Sequence, residues 1–530
     1  MKIWMLFFAF ALIAKISLLS AQEDFKTLSL EELIKHVSST DNDEILDALT
    51  EIEARGKSAS SVAPQLIILL NHEDEWVRLA AADTLVKLGS DVLELFPTLF
   101  QTKSAQKKIL ACRIIGELGE NPEKVFPLLK QGLQDSSEKV QIATIHAIGQ
   151  FQKRAEELLP LMLPFLQSSS REIQKEAIGC VGEINPNGLD VLKGLVECAS
   201  LEDEEVHLIL GEALSKISKE AQPHLGLLLK ALAGCENKYL KSKFLEAIGN
   251  IADIQALEDV LTHLEEENYL IRYQTLKAIQ KIHALNPEQF KKLVPLFQDP
   301  YELIRLLLPE VMAELQIQES VPYLVTLLND INIRVRMSVV RALGRIKPAS
   351  SLQIRGLLKA LQDVQMNIVQ EAVISFGELG PEALPASDTL MRFASVAKGE
   401  MLISLLKSLA RIKPAPEKWG PVLEKILGSA KTLHRIWGYY ALYETCLDKQ
   451  NEATSILIQY LESEQGDLRH QTLEAITQLN PPNAAMIEAM LRQYPSLQPH
   501  EQEIIVQCFF ALKIDSRLEP YRREDSSEKK

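Results

Sequence analysis

Fourteen times between residues 77 and 504 the chain returns to the same amphipathic phrase, in steps of 30–36 residues. The clearest copy is INIRVRMSVVRALGRIKP, residues 331–348, where Val335, Val339, Ala342, Leu343 and Ile346 fall at offsets 0, 4, 7, 8 and 11. That spacing puts them on one face of a 3.6-residue helix. Asp330 just before it offers a short acceptor side chain to cap the first turn. Pro348 just after it pushes the preceding residue out of helical geometry and ends the element. The first offset is occupied in turn by Val77, Lys107, Val140, Ile173, Val206, Leu240, Ile271, Ile304, Val335, Ile368, Met401, His434, Leu468 and Ile504. Eight positions on, from Leu85 through Leu343 to Leu512, no polar residue interrupts the column, and the residue before it is usually Ala, which suits close helix contact. Each unit is too short to bury its own apolar face and must stack on its neighbours. The expected fold is therefore all-α, an α-solenoid or superhelix of about 14–15 two-helix repeats.

An array grows by addition, so 530 residues need no single core. Residues 57–515 are read as the solenoid, 22–56 as an N-terminal capping segment, and 516–530 as a disordered charged tail. Residues 1–21 differ from all that follows: Lys2, a twelve-residue apolar run from Ile3, then a small residue at Ala21. This has the form of a secretory signal peptide cleaved after Ala21. Because Lys15 interrupts it and Ile3–Ala21 is long enough to span a bilayer, an uncleaved anchor is the alternative, and the membrane enters only through that leader. The expected location is exported, in a bacterial periplasm or outside the cell, and the absence of any Asn-x-Ser/Thr acceptor agrees with it. The formal charge of −15 becomes −17 once Lys2 and Lys15 leave with the leader, which argues against nucleic acid as a partner. The six cysteines are expected to be buried free thiols.

The blocks VRLAAADTLVKLG (77–89), IRYQTLKAIQKIH (271–283) and VRMSVVRALGRIK (335–347) resemble the second helix of HEAT repeats, closest to the short HEAT-like repeats named after phycobilisome lyases. The resemblance covers roughly residues 41–515. It implies a scaffold or adaptor, with a few enzymes as the rival class. HEAT-like deoxyhypusine hydroxylases hold two irons with His-Glu pairs on their inner helices. Here the inner-helix histidines His146, His207, His434 and His470 precede Ala, Leu, Arg and Gln, while the pairs His72-Glu73 and His500-Glu501 read as lying outside the inner helices. An exported protein would also not meet the cytoplasmic pigment proteins that bilin lyases serve. No nucleophile elbow, phosphate loop or metal-spaced histidine pair is present. No catalytic residue, cofactor or metal ligand is assigned.

What remains is binding. Cations recur one position after the first offset (Arg78, Lys108, Lys241, Arg272, Arg305, Arg336, Arg435, Arg469), and Asp135, Asp299, Asp330 and Asp363 stand five residues before it. This pattern predicts a structural ladder of ion pairs between units. Residues 331–362 carry seven cations and no acid, so Arg334, Arg336, Arg341 and Arg355 are candidate contacts for an anionic protein partner. Arg341 and Arg345 share columns with Glu310 and Glu314, which are expected to neutralise part of this charge. In HRIWGYYALY (434–443), Tyr440 occupies a column that is mostly charged or polar elsewhere, so it and Trp437 are expected on an exposed, partner-binding surface. The reading is an exported, non-enzymatic scaffold or adaptor for protein–protein interaction. Alternatives are an envelope-anchored structural component and, third, a HEAT-like enzyme.

Overall fold

The computed structural model describes residues 25–518 apart from 430, 464–465 and 480. The signal-peptide reading of 1–21 lies outside the described residues, as does the tail beyond 518. Among the described residues every regular element is helical. The chain forms two compact units, dividing between Ile282 and His283.

Both units are α-solenoids in which an outer helix or 3-10 turn, in most repeats the shorter element, alternates with an inner helix. The inner helices of the first unit are α1 (Asn42–Arg55), α2 (Glu75–Leu88), α3 (Ala105–Leu118), α4 (Glu138–Gln150), α5 (Arg171–Ile184), α6 (Glu204–Ser215), α7 (Lys238–Ile251) and α8 (Tyr269–Ile282). Those of the second are α9 (Glu302–Glu314), α10 (Ile333–Arg345), α11 (Met366–Leu379), α12 (Gly399–Ile412), α13 (Thr432–Thr445), α14 (Asp467–Thr477) and α15 (Pro499–Ala511). No described helix is long and apolar enough to cross a membrane.

Three devices repeat along each unit. The first is the apolar column eight positions into each repeat: Leu85, Ile115, Ile148, Val181, Leu214, Ile248 and Ile279 in one unit, and Met312, Leu343, Phe376, Leu409 and Ile476 in the other, all have no measurable exposure. The second is close helix contact. A glycine follows this column in several repeats and faces the small residue that precedes the column in the next one. A Cβ built on Gly182 would sit 2.9 Å from the Ala213 Cα, and one on Gly344 2.8 Å from the Ser375 Cα. Only glycine allows these backbones to approach so nearly.

The third device is the cation ladder. Lys108 Nζ lies 2.7 Å from Asp135, Arg305 Nε 2.6 Å from Asp330, and Arg336 Nε 2.8 Å from Asp363, so each cation bonds forward to the loop of the next repeat. Lys241–Glu266 (2.8 Å) and Arg469–Glu501 (2.9 Å) repeat the pattern with glutamate. The arginines also donate backward to the turn before their own helix: Arg78 Nη1 to the His72 carbonyl at 2.7 Å, Arg272 to Glu266 at 2.6 Å, Arg305 to Asp299 at 2.6 Å. The expected ladder is thus formed at Lys108, Lys241, Arg305, Arg336 and Arg469, whereas Arg78 bonds backward to the His72 and Glu73 carbonyls.

Local details differ from the expectation in three places. The cap of α10 is Asn332, whose side chain accepts from the Arg334 N–H at 2.8 Å; Asp330 sits one step earlier and accepts from the Asn332 N–H at 2.8 Å. In α15 the fully buried residues are Ile505 and Phe509, while Ile504 and Leu512 are only half-buried, so the column loosens at the last described repeat. Of the tail, residues 516–518 are described: they belong to the turn Asp515–Leu518, with Leu518 fully buried and Arg517 paired to Glu488. All six cysteines are free thiols, and Cys112, Cys180, Cys198 and Cys446 are buried.

Candidate functional site

Helix α10 is amphipathic with a cationic outer stripe. Its apolar face, Val335, Val339, Ala342 and Leu343, is buried, which leaves Arg334, Ser338, Arg341 and Arg345 at offsets 0, 4, 7 and 11 on another face. These four side chains line a groove of about 450 Å³ between α9, α10 and the start of α11. Its lining also includes small residues, Ala313 on α9 and Ala342 on α10, and the apolar Leu306, Ile333 and Met337. Ser338 fixes its floor by donating to the Leu306 carbonyl on α9 at 2.9 Å.

The charge inside is unbalanced. Glu310 is the one carboxylate among the lining residues, against three guanidinium groups. Arg341 pairs with Glu371 on α11 (3.1 Å) rather than with Glu310, the partner that its column suggested. Arg334 and Arg345 are exposed and, among the described residues, have no carboxylate partner. In the turns that precede α10 and α11, Ile331 is 93 % exposed and Val364 90 %, and Met366, the first residue of α11, is 68 % exposed. Ile331 and Val364 occupy equivalent positions in consecutive repeats, so exposed apolar residues recur in the turns that lead into α10 and α11.

The six sequence-derived candidates separate. Arg334 and Arg341 meet in the groove, together with Arg345, which the charge run contained but the candidate set did not. Arg336 belongs to the ladder: its Nη2 donates to the second Asp363 oxygen at 3.1 Å and its Nη1 to the Asp330 carbonyl at 2.9 Å, so it is a structural residue. Arg355 is exposed on the outer helix Ser351–Ala360 and does not line the groove.

Trp437 and Tyr440 are not exposed; their relative exposures are 0 % and 2 %. Lys407 reaches from α12 across the Trp437 ring, 3.9 Å from its centroid, to Glu474 on α14 at 2.8 Å. The Trp437 indole N–H donates to Gln471 at 3.0 Å, and Tyr440 stacks edge-on against it at 5.4 Å. Burial pushes the Tyr440 phenol pKa up. Both rings are buried, although the Tyr440 column is mostly polar elsewhere, because α12 and α14 close over them with a cation and an anion. The sequence reading also misplaced His500-Glu501: α15 begins at Pro499, so the pair sits in its first turn.

The segment 290–377 matches the family model described as HEAT repeats, and 62–92 the model described as HEAT repeat. A search of curated proteins finds no match. Among solved structures, Kap121p superposes with a TM-score of 0.58 at 12 % identity, covering 92 % of this chain and 67 % of that one. The complex of the karyopherin Kap121p with the SUMO protease Ulp1p gives 0.57 at 13 %, covering 92 % and 66 %. Yeast importin-β (Kap95p) gives 0.52 at 12 %, covering 94 % and 78 %. The chain thus spans about two thirds of the length of Kap121p. At such identities the likeness establishes the fold.

Proposed function

We propose that this HEAT-repeat chain is an exported, non-enzymatic scaffold that holds an acidic protein segment in the groove of α9–α11. The observation that carries the reading is the stripe Arg334–Arg341–Arg345, cationic within a chain of net charge −15, with exposed Ile331 and Val364 in the turns that lead into α10 and α11. Guanidinium groups suit planar, bidentate recognition of carboxylates, and exposed apolar residues give a peptide somewhere to bury its anchors. Kap121p, of similar fold, is itself bound to another protein in one of the matched structures. Export rests on the leader-like residues 1–21.

Two measurements test this. Affinity capture from the envelope fraction of the source organism with the wild-type chain, and with an R334E/R341E/R345E variant, should show acidic partners lost on charge reversal. An unaltered set of captured partners would overturn the groove reading. N-terminal sequencing of the mature protein should begin at Gln22; a retained Met1 would favour the envelope-anchored component instead.

A further inference from the structure

The stacking of α15 on α14 gathers three potential metal ligands that lie 30 residues apart in sequence. His470 on α14 and His500 and Glu501 on α15 each place one ligating atom within 4.8 Å of the others. The two imidazoles lie 5.4 Å apart, centroid to centroid. Nδ1 of His470 is buried with no hydrogen-bond partner, a costly condition for a polar atom. Glu501 is 2 % exposed. Its Oε2 accepts from Arg469 Nη2 at 2.9 Å and from the Gln498 N–H at 3.0 Å, whereas Oε1 meets Arg469 Nε only at 3.3 Å and keeps lone pairs to give. His500 is exposed, which opens a path from solvent.

We propose that His470, His500 and Glu501 bind a divalent transition-metal cation of the zinc class, which clamps α15 onto α14. Two imidazoles and one carboxylate make a borderline donor set suited to zinc and its neighbours, not to calcium or magnesium, which take oxygen ligands. Bonds of about 2.0–2.1 Å place tetrahedral ligands about 3.3 Å apart, so the three side chains must draw together on binding from their present separation of up to 4.8 Å. Arg469 holds the carboxylate from its far side, as an outer hydrogen-bond partner orients a ligand. Its positive charge also lowers affinity, so micromolar rather than chelator-tight binding is expected.

The test uses the full mature chain with zinc chloride as the probe, by titration calorimetry and by hydrogen exchange of α15. One zinc per chain and slower exchange across residues 499–511 are expected. H470A and H500A should each weaken binding at least about tenfold, while H146A, removing an exposed histidine elsewhere, should not. If H470A perturbs folding, H500A alone decides, since that side chain is exposed. Equal zinc affinity in the wild type and an H470A/H500A variant, or binding that leaves the exchange of 499–511 unchanged, would overturn the proposal.

Discussion

Replacing Arg336 with Met isolates one rung of the cation ladder. The wild-type guanidinium makes four bonds: to the two Asp363 oxygens at 2.8 and 3.1 Å, to the Asp330 carbonyl at 2.9 Å and, weakly, to the Ile331 carbonyl at 3.4 Å. Both side chains of the pair are 13 % exposed. Breaking a fully buried pair costs about 3–5 kcal/mol, and an exposed one contributes under about 1 kcal/mol. This rung lies between those limits, so R336M should cost about 2 kcal/mol and D363N somewhat less. R336M/D363N strands neither charge and should cost less than the sum, with a coupling of about 1 kcal/mol. Because repeats touch only their neighbours, the loss belongs to α10 and α11. Hydrogen-exchange mass spectrometry of residues 333–345 and 366–379 reads it as a lower local opening free energy, with α2 in the other unit as internal control.

The same rung predicts a pH signature. Burial raises the Asp363 pKa, but the Arg336 bonds and the Gln365 N–H outweigh it and leave it below the ordinary value. A carboxylate depressed on folding stabilises above its unfolded pKa of about 3.9, and that contribution disappears as pH falls through the lower folded value. Wild-type protection of α10 should therefore fall below about pH 4, and R336M should show less of this fall. Additive single costs, or wild-type protection that stays flat from neutral pH down to pH 3, would refute the account of the ladder.

Leu343→Ala, at a position with no exposure, should cost about 2–5 kcal/mol, read as lost exchange protection centred on α10. Gly344→Ala drives a Cβ to 2.6 Å from the Ser375 Cβ and 2.8 Å from its Cα, so α10 and α11 must part; a loss of about 1–3 kcal/mol is expected, measured the same way. Lys407→Met removes the cation over Trp437 and its bond to Glu474; Trp437 fluorescence should shift to the red and become more accessible to quenchers. Burial pushes the Cys112 thiol up to about 12 and that of Cys198 up to about 11, so at pH 8 both should resist iodoacetamide in the native chain and react once it is unfolded in urea, by peptide mapping.

The helical phase was readable because it follows from one dominant quantity, apolar burial on a 3.6-residue period. Leu343 and its counterparts need no knowledge of neighbours to be placed inward. The ladder was readable for a related reason: a cation and an acid at fixed offsets, repeated in many units, meet wherever one unit stacks on the next. Part of the candidate site was readable too, as a run of cations without acids, and Arg334 and Arg341 do share a groove. Arg336 and Arg355 left that set because charge alone does not say which face of a repeat a side chain takes. Trp437 and Tyr440 required contacts 30 and more residues away, from Lys407 and Glu474. His470, His500 and Glu501 were invisible for the same reason, since their proximity arises only from stacking.

The forward-bonding ladder has a consequence for how such a chain can change in size. The rungs at Lys108, Lys241, Arg305 and Arg336 each join a helix to the loop one period ahead, and Arg469 reaches the first turn of the next inner helix, so excising or duplicating a whole period leaves each of these cations facing an acid. Removing half a period would strand one charge at each new junction. Length in this architecture is therefore expected to vary in whole-number increments.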